Sequence, residues 1–373
     1  MHRVVIFSDI YAGLPAFLVH NAVKELSSRN DVDLVAVCLP KNPDHLGNLL
    51  TYSLRRLADL WRRVRGKQKQ GQARIVRPAN LRKLARQLGF DILVPPQGDI
   101  NHPAFIALLE TRYKPTTALS LYCLKKFSPA LLQVFDNTVN YHNGLLPRYR
   151  GLKATAWSIY NGDKESGFAF HRMATEIDEG PLLIQRAVPV GDNESVEVIE
   201  LRKAELALQQ LDGLVDRLNA GDPGVPQQGD ASYYSGRDRH AIMRITDPGK
   251  VSSSELLRRL RAFAALNICV QGHWYRVTGL RKPAVDGIDG TQRTGEKPAE
   301  TVRMPHLSTG GESQQPAVDY RLPALPALTF FCADGRPLTV SRVEYLPPYI
   351  FRFRQYLVKP VGRLRRILSR RPE

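Results

Sequence analysis

The sequence has few cysteines and no closely spaced pair of them. Its four cysteines, Cys38, Cys123, Cys269 and Cys332, are far apart in a chain of 373 residues, and no Cys-x-x-Cys motif occurs. This spacing argues against a structural zinc site and against a disulfide framework, and it fits a reducing compartment. We read Cys38 and Cys123, which lie in apolar, strand-like surroundings, as small buried hydrophobes rather than nucleophiles.

Long apolar runs are missing as well. No stretch approaches the roughly 20 apolar residues that a membrane span needs. The N-terminal residues do not read as a signal peptide, because Asp9 interrupts the apolar run and Gly13 and Pro15 follow it. We therefore expect a soluble, cytoplasmic protein.

Acidic residues are scarce relative to basic ones, with 36 Asp and Glu against 53 Lys and Arg and a formal net charge of +17. Much of the excess is in two stretches, with net +11 over 51–90 and net +7 over 349–373. They suggest an anionic partner, either nucleic acid, a nucleotide-linked substrate or a membrane surface, although solvated helix faces would give the same pattern. Contact of the basic tail, 349–373, with an anionic membrane stays open for the same reason.

In the first half of the chain, strand and helix signals alternate, which predicts an α/β domain with a mostly parallel sheet. Strands are predicted at 3–7, 32–38, 73–76, 91–94, 117–121 and 138–142, and helices at 14–28, 46–64, 80–88, 103–111, 128–134 and 195–220. Asn80 and Ser128 are predicted as helix N-caps.

The second half has a different composition. A stretch rich in Gly, Pro and Gln at 221–230 predicts a linker between a first domain at 1–220 and a second at 231–373. Short strands near 270–278, 327–332 and 338–344, beside a helix at 252–264, suit a small β-rich domain, an OB-like barrel, more than a second α/β domain. Residues 284–318 are rich in Gly, Pro, Ser, Thr and Gln and are predicted to be disordered or a long loop.

Polar residues end the predicted strand at 138–142. Asn140 and His142 are two positions apart, so their side chains share one face at the carboxyl end of a parallel strand, where open α/β sheets build their sites. A Gly-Leu-Leu-Pro turn follows, and it allows close approach of a flat ligand. Further along, Asp178 is followed by Gly180 and Pro181, which predict a turn.

In this region the sequence resembles the folate-dependent formyltransferase family, which includes methionyl-tRNA, glycinamide ribonucleotide and nucleotide-sugar formyltransferases. The family's pattern is an Asn-x-His, a Leu-Leu-Pro-x-x-Arg-Gly, a Trp, a Gly-x-x-x-His strand and an Asp-x-Gly loop. The matching residues, in the same order, are Asn140, His142, Leu145-Leu146-Pro147, Arg150-Gly151, Trp157, Gly167, His171, Asp178 and Gly180. The resemblance implies a Rossmann-like catalytic domain.

By this resemblance, Asn140, His142 and Asp178 are the catalytic residues. When a neutral amine attacks a formyl carbon, an oxyanion and an ammonium develop together. Protonated His142 and the Asn140 amide can donate to the oxyanion. Asp178 would favour the imidazolium and help to remove the ammonium proton through water. His171 is part of the shared pattern but is predicted to be a structural histidine.

The formyl donor that the resemblance implies is 10-formyltetrahydrofolate. Its pterin is expected between three segments: 144–147, the loop around Asp178, and 123–128. The candidate binding residues in these segments are Gly144, Leu145, Leu146, Pro147, Cys123, Leu124, Lys125, Phe127 and Ile177. The sequence departs from the family at Tyr122, where Gly is usual, at Lys126, where an aliphatic residue is usual, and at Gly144, where Ser is usual. No metal is expected, because His102 and His142 form no ligand pattern with nearby carboxylates.

The acceptor amine is left open by the sequence. The segment after Arg150 lacks the Ala-Ala-Pro-Ile-Gln pattern that is usual in methionyl-tRNA formyltransferases, which favours a small amine such as an amino sugar on a nucleotide. The two basic stretches would instead suit methionyl-tRNA. The same three residues could also deliver water, giving a formyl-folate hydrolase, and a non-catalytic relative is the last alternative.

Overall fold

A computed structural model of the chain describes residues 1–9, 13–40, 78–270, 273–281 and 329–344. The chain divides into two compact units, one of Met1–Arg244 with Arg261–Ala264 and one of Ile245–Leu260 with Ala265–Glu373. The predicted helix at 46–64, the strand at 73–76, the loop at 284–318 and the basic tail at 349–373 lie outside the described residues.

The first unit is built on a seven-stranded sheet. The strands of this unit are β1 (His2–Phe7), β2 (Val32–Cys38), β3 (Asp91–Leu93), β4 (Thr117–Leu121), β5 (Asn137–His142), β6 (Arg150–Gly151), β7 (Glu165–Arg172), β8 (Leu182–Pro189) and β9 (Tyr233–Tyr234). The sheet has the order β3-β2-β1-β4-β5-β7-β8, and β6 and β9 pair with each other separately. Strands β1 to β5 of the sheet are parallel, while β7 is antiparallel to both β5 and β8. The predicted mostly parallel α/β sheet is confirmed.

The central strands are apolar because both of their faces are covered. Val4, Val5, Ile6 and Phe7 of β1 are each at most 3% exposed. Val4 and Ile6 belong to one core cluster, and Val5 and Phe7 belong to another. A continuous apolar run of this kind is typical of a parallel strand between two layers of helices.

The helices are α1 (Gly13–Ser27), α2 (Pro78–Leu88), α3 (Pro103–Leu108), α4 (Pro129–Leu132), α5 (Ala154–Asn161), α6 (Val196–Leu208), α7 (Leu211–Asn219), α8 (Gly236–Met243) and α9 (Ser253–Phe263). Within the described ranges, no helix is both long enough and apolar enough to cross a bilayer. The predicted N-cap at Ser128 is confirmed, because its Oγ accepts a hydrogen bond from the Leu131 amide at 3.2 Å.

Two helix predictions are wrong. Helix α2 begins at Pro78, so Asn80 lies inside the helix rather than at its N-cap. The single helix expected over 195–220 is two helices, which are separated at Gln209 and Gln210. The four buried residues of α7 belong to the core cluster that also contains residues of β1 and α1; these are Leu211, Leu214, Val215 and Leu218.

The second unit is smaller and rich in β-structure. Its five-stranded sheet has the order β10-β11-β12-β14-β13, formed by β10 (Arg244–Ile245), β11 (Leu266–Val270), β12 (His273–Arg281), β13 (Thr329–Phe331) and β14 (Pro337–Glu344). The pairs β11–β12, β12–β14 and β13–β14 are antiparallel. Leu256, Leu266, Ile268 and Leu338 are fully buried in its core. The OB-like barrel stays a prediction.

Residues 231–244, which the sequence assigns to the second domain, lie in the first unit. The reason is strand β9, since Tyr233 and Tyr234 pair in parallel with Arg150 and Gly151 of β6. This pairing joins the segment directly after the predicted linker to Arg150 and Gly151, which belong to the motif that resembles the formyltransferase family.

Candidate active site

The candidate site lies where β4 and β5 end. These two strands are parallel neighbours, with Leu121 opposite Tyr141, so the loops that follow them leave from the same edge of the sheet. The loop at 122–128 follows β4 and the loop at 143–149 follows β5. The carboxyl edge of a parallel sheet is the usual position for a binding site in this class of fold.

The structure brings Asn140, His142 and Asp178 together. The Asn140 Nδ2 donates to Asp178 Oδ1 at 3.3 Å, and His142 Nδ1 lies 3.2 Å from Asp178 Oδ2. The Gly151 amide also donates to Asp178 Oδ2, at 2.8 Å. The His142 and Asp178 side chains are only 6% and 9% exposed, so this contact is shielded from bulk water.

Electrostatics keeps Asp178 ionised. Burial by itself would raise the pKa of its carboxyl, but the charge of His142 and the hydrogen bonds from His142, His171 and the Gly151 amide hold that pKa well below its usual value. His142 Nε2 lies 2.9 Å from the carbonyl oxygen of Tyr149, which can only accept, so Nε2 carries a hydrogen and donates it. With Asp178 at its other nitrogen, only the imidazolium form of His142 donates to both neighbours.

His171 and Ser120 extend the network behind Asn140. The Ser120 hydroxyl donates to Asn140 Oδ1 at 2.7 Å, which fixes the orientation of the amide. Asn140 Nδ2 then faces His171 Nε2 at 3.1 Å, while His171 Nδ1 donates to the Arg172 carbonyl at 2.8 Å. His171 Nε2 is also 3.4 Å from Asp178 Oδ1. The histidine that the sequence suggested to be structural thus touches two of the three candidate catalytic residues.

Gly144 is where the sequence departs from the family's Ser, and space explains the glycine. A Cβ at this position would lie 2.8 Å from His142 Nε2 and 2.7 Å from the Ala154 Cβ. Both distances are shorter than a carbon side chain tolerates. The imidazole therefore occupies the room that a residue larger than glycine would need.

Tyr149 supplies the carbonyl for His142 from an unusual backbone conformation. Its φ is +63°, in the left-handed region that non-glycine residues rarely adopt. The buried Tyr149 ring stacks on Tyr234 at 5.8 Å, and Tyr234 in turn stacks on Trp157 at 4.2 Å. The Tyr149 hydroxyl donates to Asp163 at 2.5 Å. These contacts offset the backbone strain and aim the carbonyl oxygen at His142.

The loop at 143–149 is also held by Gln185 of β8. The Gln185 side chain accepts a hydrogen bond from the Leu146 amide at 2.8 Å and donates one to the Leu146 carbonyl at 3.2 Å. Leu146 is 4% exposed, and Leu145 packs against Gly167 of β7. Of the predicted folate residues in this loop, the Leu145 and Leu146 side chains therefore lie against the protein, and Gly144 and Pro147 continue the same turn.

The loop at 122–128 carries the other predicted folate residues. Leu124 is 58% exposed and Lys125 is exposed, whereas Cys123 is partly buried. Phe127 is 7% exposed and packs edge-on against Phe7 at 4.9 Å, so its side chain holds the loop from the core side. Tyr122 has φ +59°, the conformation for which the family's usual glycine is suited.

A pocket of about 330 Å³ lies beside Asp178. Ile177, which is 43% exposed, and Glu179 flank Asp178 in sequence and line the pocket. The complete lining is Arg150, Glu176, Ile177, Glu179, Ala231, Ser232 and Tyr233. Among the predicted folate residues, Ile177 is the one that this pocket includes.

Two arginines that could have bound a substrate phosphate brace the site instead. Arg148 pairs with Asp163 at 2.8 Å, and Arg150 pairs with Glu179 at 2.5 Å. Arg150 Nη2 also donates to Gln227 Oε1, and Gln227 Nε2 donates to the carbonyls of Asp178 and Gly180 at 2.8 Å each. Gln227 lies in the stretch read as a linker, and no local pattern in the sequence indicates this role.

Over the part of the chain that the structure describes, no group of three or more His, Cys, Asp or Glu side chains is arranged to hold a metal ion.

Comparison with known proteins places this geometry in context. Residues 65–214 match the family model of the formyl transferases, which confirms the resemblance found in the sequence. GDP-perosamine N-formyltransferases of Brucella melitensis and Brucella abortus are each 40% identical to this chain over 98 residues. That match covers 26% of this chain and 38% of each relative, so the chain spans less than two-fifths of the length of these curated relatives.

Two solved structures resemble the fold. A sugar N-formyltransferase from Shewanella sp. FDAARGOS_354 superposes with a TM-score of 0.51 at 20% identity, over 74% of this chain and 95% of that one. A 4-N formyltransferase from Francisella tularensis gives a TM-score of 0.51 at 19% identity, over 74% of this chain and 98% of that one. At these identities the likeness supports the fold alone.

Proposed function

Since residues 65–214 carry a formyl transferase sequence, we propose that this protein transfers a formyl group from 10-formyltetrahydrofolate to the primary amine of a nucleotide-linked amino sugar. The observation that carries the proposal is the contact of His142 and Asn140 with one buried carboxylate, Asp178. This contact supplies two hydrogen-bond donors and a fixed negative charge at the carboxyl edge of the sheet.

The proposed chemistry is nucleophilic acyl transfer. The acceptor amine attacks the formyl carbon, and the carbonyl electrons move to the oxygen as a C–N bond forms. Asn140 Nδ2–H and the His142 imidazolium stabilise that oxyanion, and its collapse breaks the bond to the donor nitrogen. The ammonium proton leaves through water towards Asp178, and the departing nitrogen gains a proton. Each fixed donor of this kind typically contributes about 2.7–4 kcal/mol to transition-state stabilisation.

The donors are occupied within the protein before a substrate binds. His142 Nε2–H is bound to the Tyr149 carbonyl, and Asn140 Nδ2 donates to Asp178 Oδ1 and lies 3.1 Å from His171 Nε2. The longest of these hydrogen bonds is Asn140 to Asp178 at 3.3 Å. We propose that the formyl oxygen takes over this N–H, since hydrogen bonds in a free site commonly tighten or rearrange in the substrate complex.

The donor site fits a flat, partly apolar group. Leu124 and Ile177 are large apolar side chains that remain 58% and 43% exposed, and they belong to two of the three segments that the resemblance assigns to the pterin. When bound, the folate supplies the activated formyl group, and the residues of this chain orient it and hold the protons.

The acceptor is proposed to be a sugar amine because the sequence relatives formylate GDP-perosamine by name. The pocket beside Asp178 supports a small acceptor, since its volume of about 330 Å³ suits a sugar-sized group. Tyr233, which is 55% exposed, gives this pocket an aromatic face. For the second unit we propose the OB-like barrel, and for the whole protein a cytoplasmic location, which its four free thiols favour.

The test is formyl transfer by the purified full chain. The protein is mixed with 10-formyltetrahydrofolate and, separately, GDP-perosamine, a second nucleotide-linked amino sugar, methionyl-tRNA or buffer alone. We expect turnover with a nucleotide-linked amino sugar and a fall of at least 100-fold in kcat for His142→Ala. His240→Ala, at an exposed position of α8, is the matched control and should retain wild-type kcat.

Each acceptor separates one alternative. Turnover with methionyl-tRNA alone would replace the sugar by tRNA, and formyl loss in buffer alone at the same rate would indicate a hydrolase. Absence of turnover with every acceptor, or wild-type kcat in His142→Ala, would reject the proposed reaction.

A further inference from the structure

A lysine lies fully buried behind the candidate site. Lys203 of α6 has 0% exposure, although lysine is among the residues least often buried. Its Nζ donates to the Thr155 hydroxyl at 2.9 Å and to the carbonyl oxygen of Asn143 at 3.3 Å. Asn143 directly follows His142, so the ammonium group is bound to the first residue of the turn that leaves the catalytic strand.

The negative charge of Glu200 does not fully offset the cost of burying the Lys203 ammonium group. Glu200 lies one turn earlier on α6, and its charge partly stabilises the ammonium, but burial dominates and lowers the pKa of Lys203. Burial raises the pKa of Glu200, against the charges of Lys203 and Lys153. The Thr155 side chain also forms a hydrogen bond with Glu200. Burial, with the charge of Glu200 as a smaller cause, raises the pKa of the Tyr122 and Tyr141 phenols.

Stability alone does not explain this arrangement. A buried ion pair loses its hydration, and replacing both partners by apolar residues of similar size often leaves a protein equally stable or more stable, although removing one partner alone is destabilising. Lys203 also has Thr155 and a carbonyl rather than a close carboxylate as its hydrogen-bond partners. A role in fixing geometry accounts for the cost better, because an ammonium can bind a helix hydroxyl and a loop carbonyl at the same time.

The geometry points to Lys203 as a positioning residue, which fixes the His142 ring by holding the Asn143 carbonyl from helix α6. This inference rests on the proposed formyl transfer. Asn143 is close to the ring in the chain, since it lies between His142 and Gly144. The side chain that Gly144 lacks leaves the space that the His142 ring fills. Release of Asn143 lets the turn move, and the hydrogen bond from His142 Nε2 to the Tyr149 carbonyl in the same loop moves with it.

The experiment compares Lys203→Met with the wild-type full chain. Methionine matches the apolar part of the lysine side chain as far as Cε but lacks the ammonium group, so it cannot donate a hydrogen bond. We expect a lower thermal midpoint, because the Asn143 carbonyl and Glu200 lose a buried partner. At a temperature where the variant is folded, we expect KM values within about threefold and a kcat lower by roughly 10- to 100-fold, because a displaced catalytic group costs rate. Lys164→Met, at a lysine that is 82% exposed and paired with Asp192, is the matched control with unchanged kcat.

A second variant separates the two partners of Lys203. Thr155→Val removes the helix partner and leaves the contact with Asn143, so we expect a kcat within about threefold of the wild type. If Thr155→Val loses as much kcat as Lys203→Met, the lysine acts through α5 and the inference is wrong.

A readout without turnover keeps this inference apart from the proposed reaction. In protein labelled with ¹⁵N-histidine, the ring signals of His142 are assigned by their loss in His142→Ala. We expect these signals to shift in Lys203→Met and to stay in place in Lys164→Met. A wild type that transfers no formyl group would defeat the proposed function, whereas unshifted His142 signals in Lys203→Met, or a kcat that this substitution leaves unchanged, would overturn the role of Lys203.

Discussion

At the scale of single residues, the site depends on a few backbone conformations that ordinary residues avoid. Asp178 has φ +57°, in the left-handed region, and from there one carboxylate reaches His142, His171, Asn140 and the Gly151 amide. Such a conformation costs of order 1 kcal/mol or more and persists only where the surroundings enforce it. Here the enforcing contact is Gln227, which binds the carbonyls on both sides of the turn.

Gly144→Ser restores the residue that is usual in the family, yet we expect it to impair this chain. The new Cβ would lie 2.8 Å from His142 Nε2, so the ring must move and its hydrogen bond to Tyr149 must break. Overpacking of this kind costs about 1–3 kcal/mol of unfolding free energy. We also expect kcat to fall by about 100-fold, as a displacement near 1 Å can cause. Steady-state kinetics and urea unfolding measure the two effects.

The control for this change uses the second neighbour of Gly144. Adding Ala154→Gly to Gly144→Ser removes the contact with the Ala154 Cβ but keeps the contact with the His142 ring. We expect the double variant to regain stability without regaining kcat. If stability and kcat recovered together, the His142 ring would not be the group for which Gly144 leaves space.

At the scale of secondary-structure elements, the loop at 143–149 is held from three other segments. Gln185 of β8 binds Leu146, Lys203 of α6 binds Asn143, and the Ser232 hydroxyl accepts from the Tyr149 amide at 2.9 Å. These anchors come from 39 to 83 residues further along the chain. The loop is therefore shaped by the folded first unit more than by its own sequence.

Gln185→Leu tests this view of the loop. Leucine fills similar space but leaves the buried amide and carbonyl of Leu146 without the partners they have in Gln185. Each unsatisfied buried group costs about 1–3 kcal/mol, so we expect the unfolding free energy to fall by about 2–4 kcal/mol and kcat to fall with it. Gln185→Glu keeps an acceptor for the amide and should show a smaller effect in urea unfolding. Equal stability of both variants and the wild type would contradict the anchoring role.

The sequence predicts strands better than the ends of helices, and the reason is local. Strands β2 and β4 have the predicted bounds, because buried apolar runs between polar or turn-forming residues are visible in the sequence. The break between α6 and α7 has no glycine or proline to mark it, and burial of Leu211 and Leu214 against the sheet produces it instead. An element boundary set by tertiary packing cannot be read from its own residues.

At the scale of the whole molecule, some residues of the candidate site can be predicted from local sequence patterns, and others depend on tertiary packing. Alternation along a strand places Asn140 and His142 on one face, and the structure brings both to Asp178. Lys203 and Gln227 were not foreseeable in this way. A lysine on an amphipathic helix is expected to face solvent, and a glutamine in a Gly/Pro-rich stretch resembles a linker residue. Only the long-range packing of the first unit turns these two side chains towards the site.

The low pKa of Asp178 links the site to the stability of the protein in acid. The folded state binds a proton at Asp178 less readily than the unfolded state, so this carboxylate stabilises the fold above the ordinary Asp pKa. Its contribution is lost as the pH falls below about 4, by about 1.4 kcal/mol per pH unit. Asp178→Asn does not titrate, so we expect the difference in unfolding free energy between wild type and variant to shrink by about 2 kcal/mol between pH 4 and pH 2.5. Urea unfolding followed by circular dichroism measures this difference.

Asp192→Asn, at a residue whose side chain is 85% exposed, should instead differ from the wild type by a constant amount. If the difference for Asp178→Asn is equally constant, the contacts with His142, His171 and Gly151 do not hold the carboxylate in its charged form.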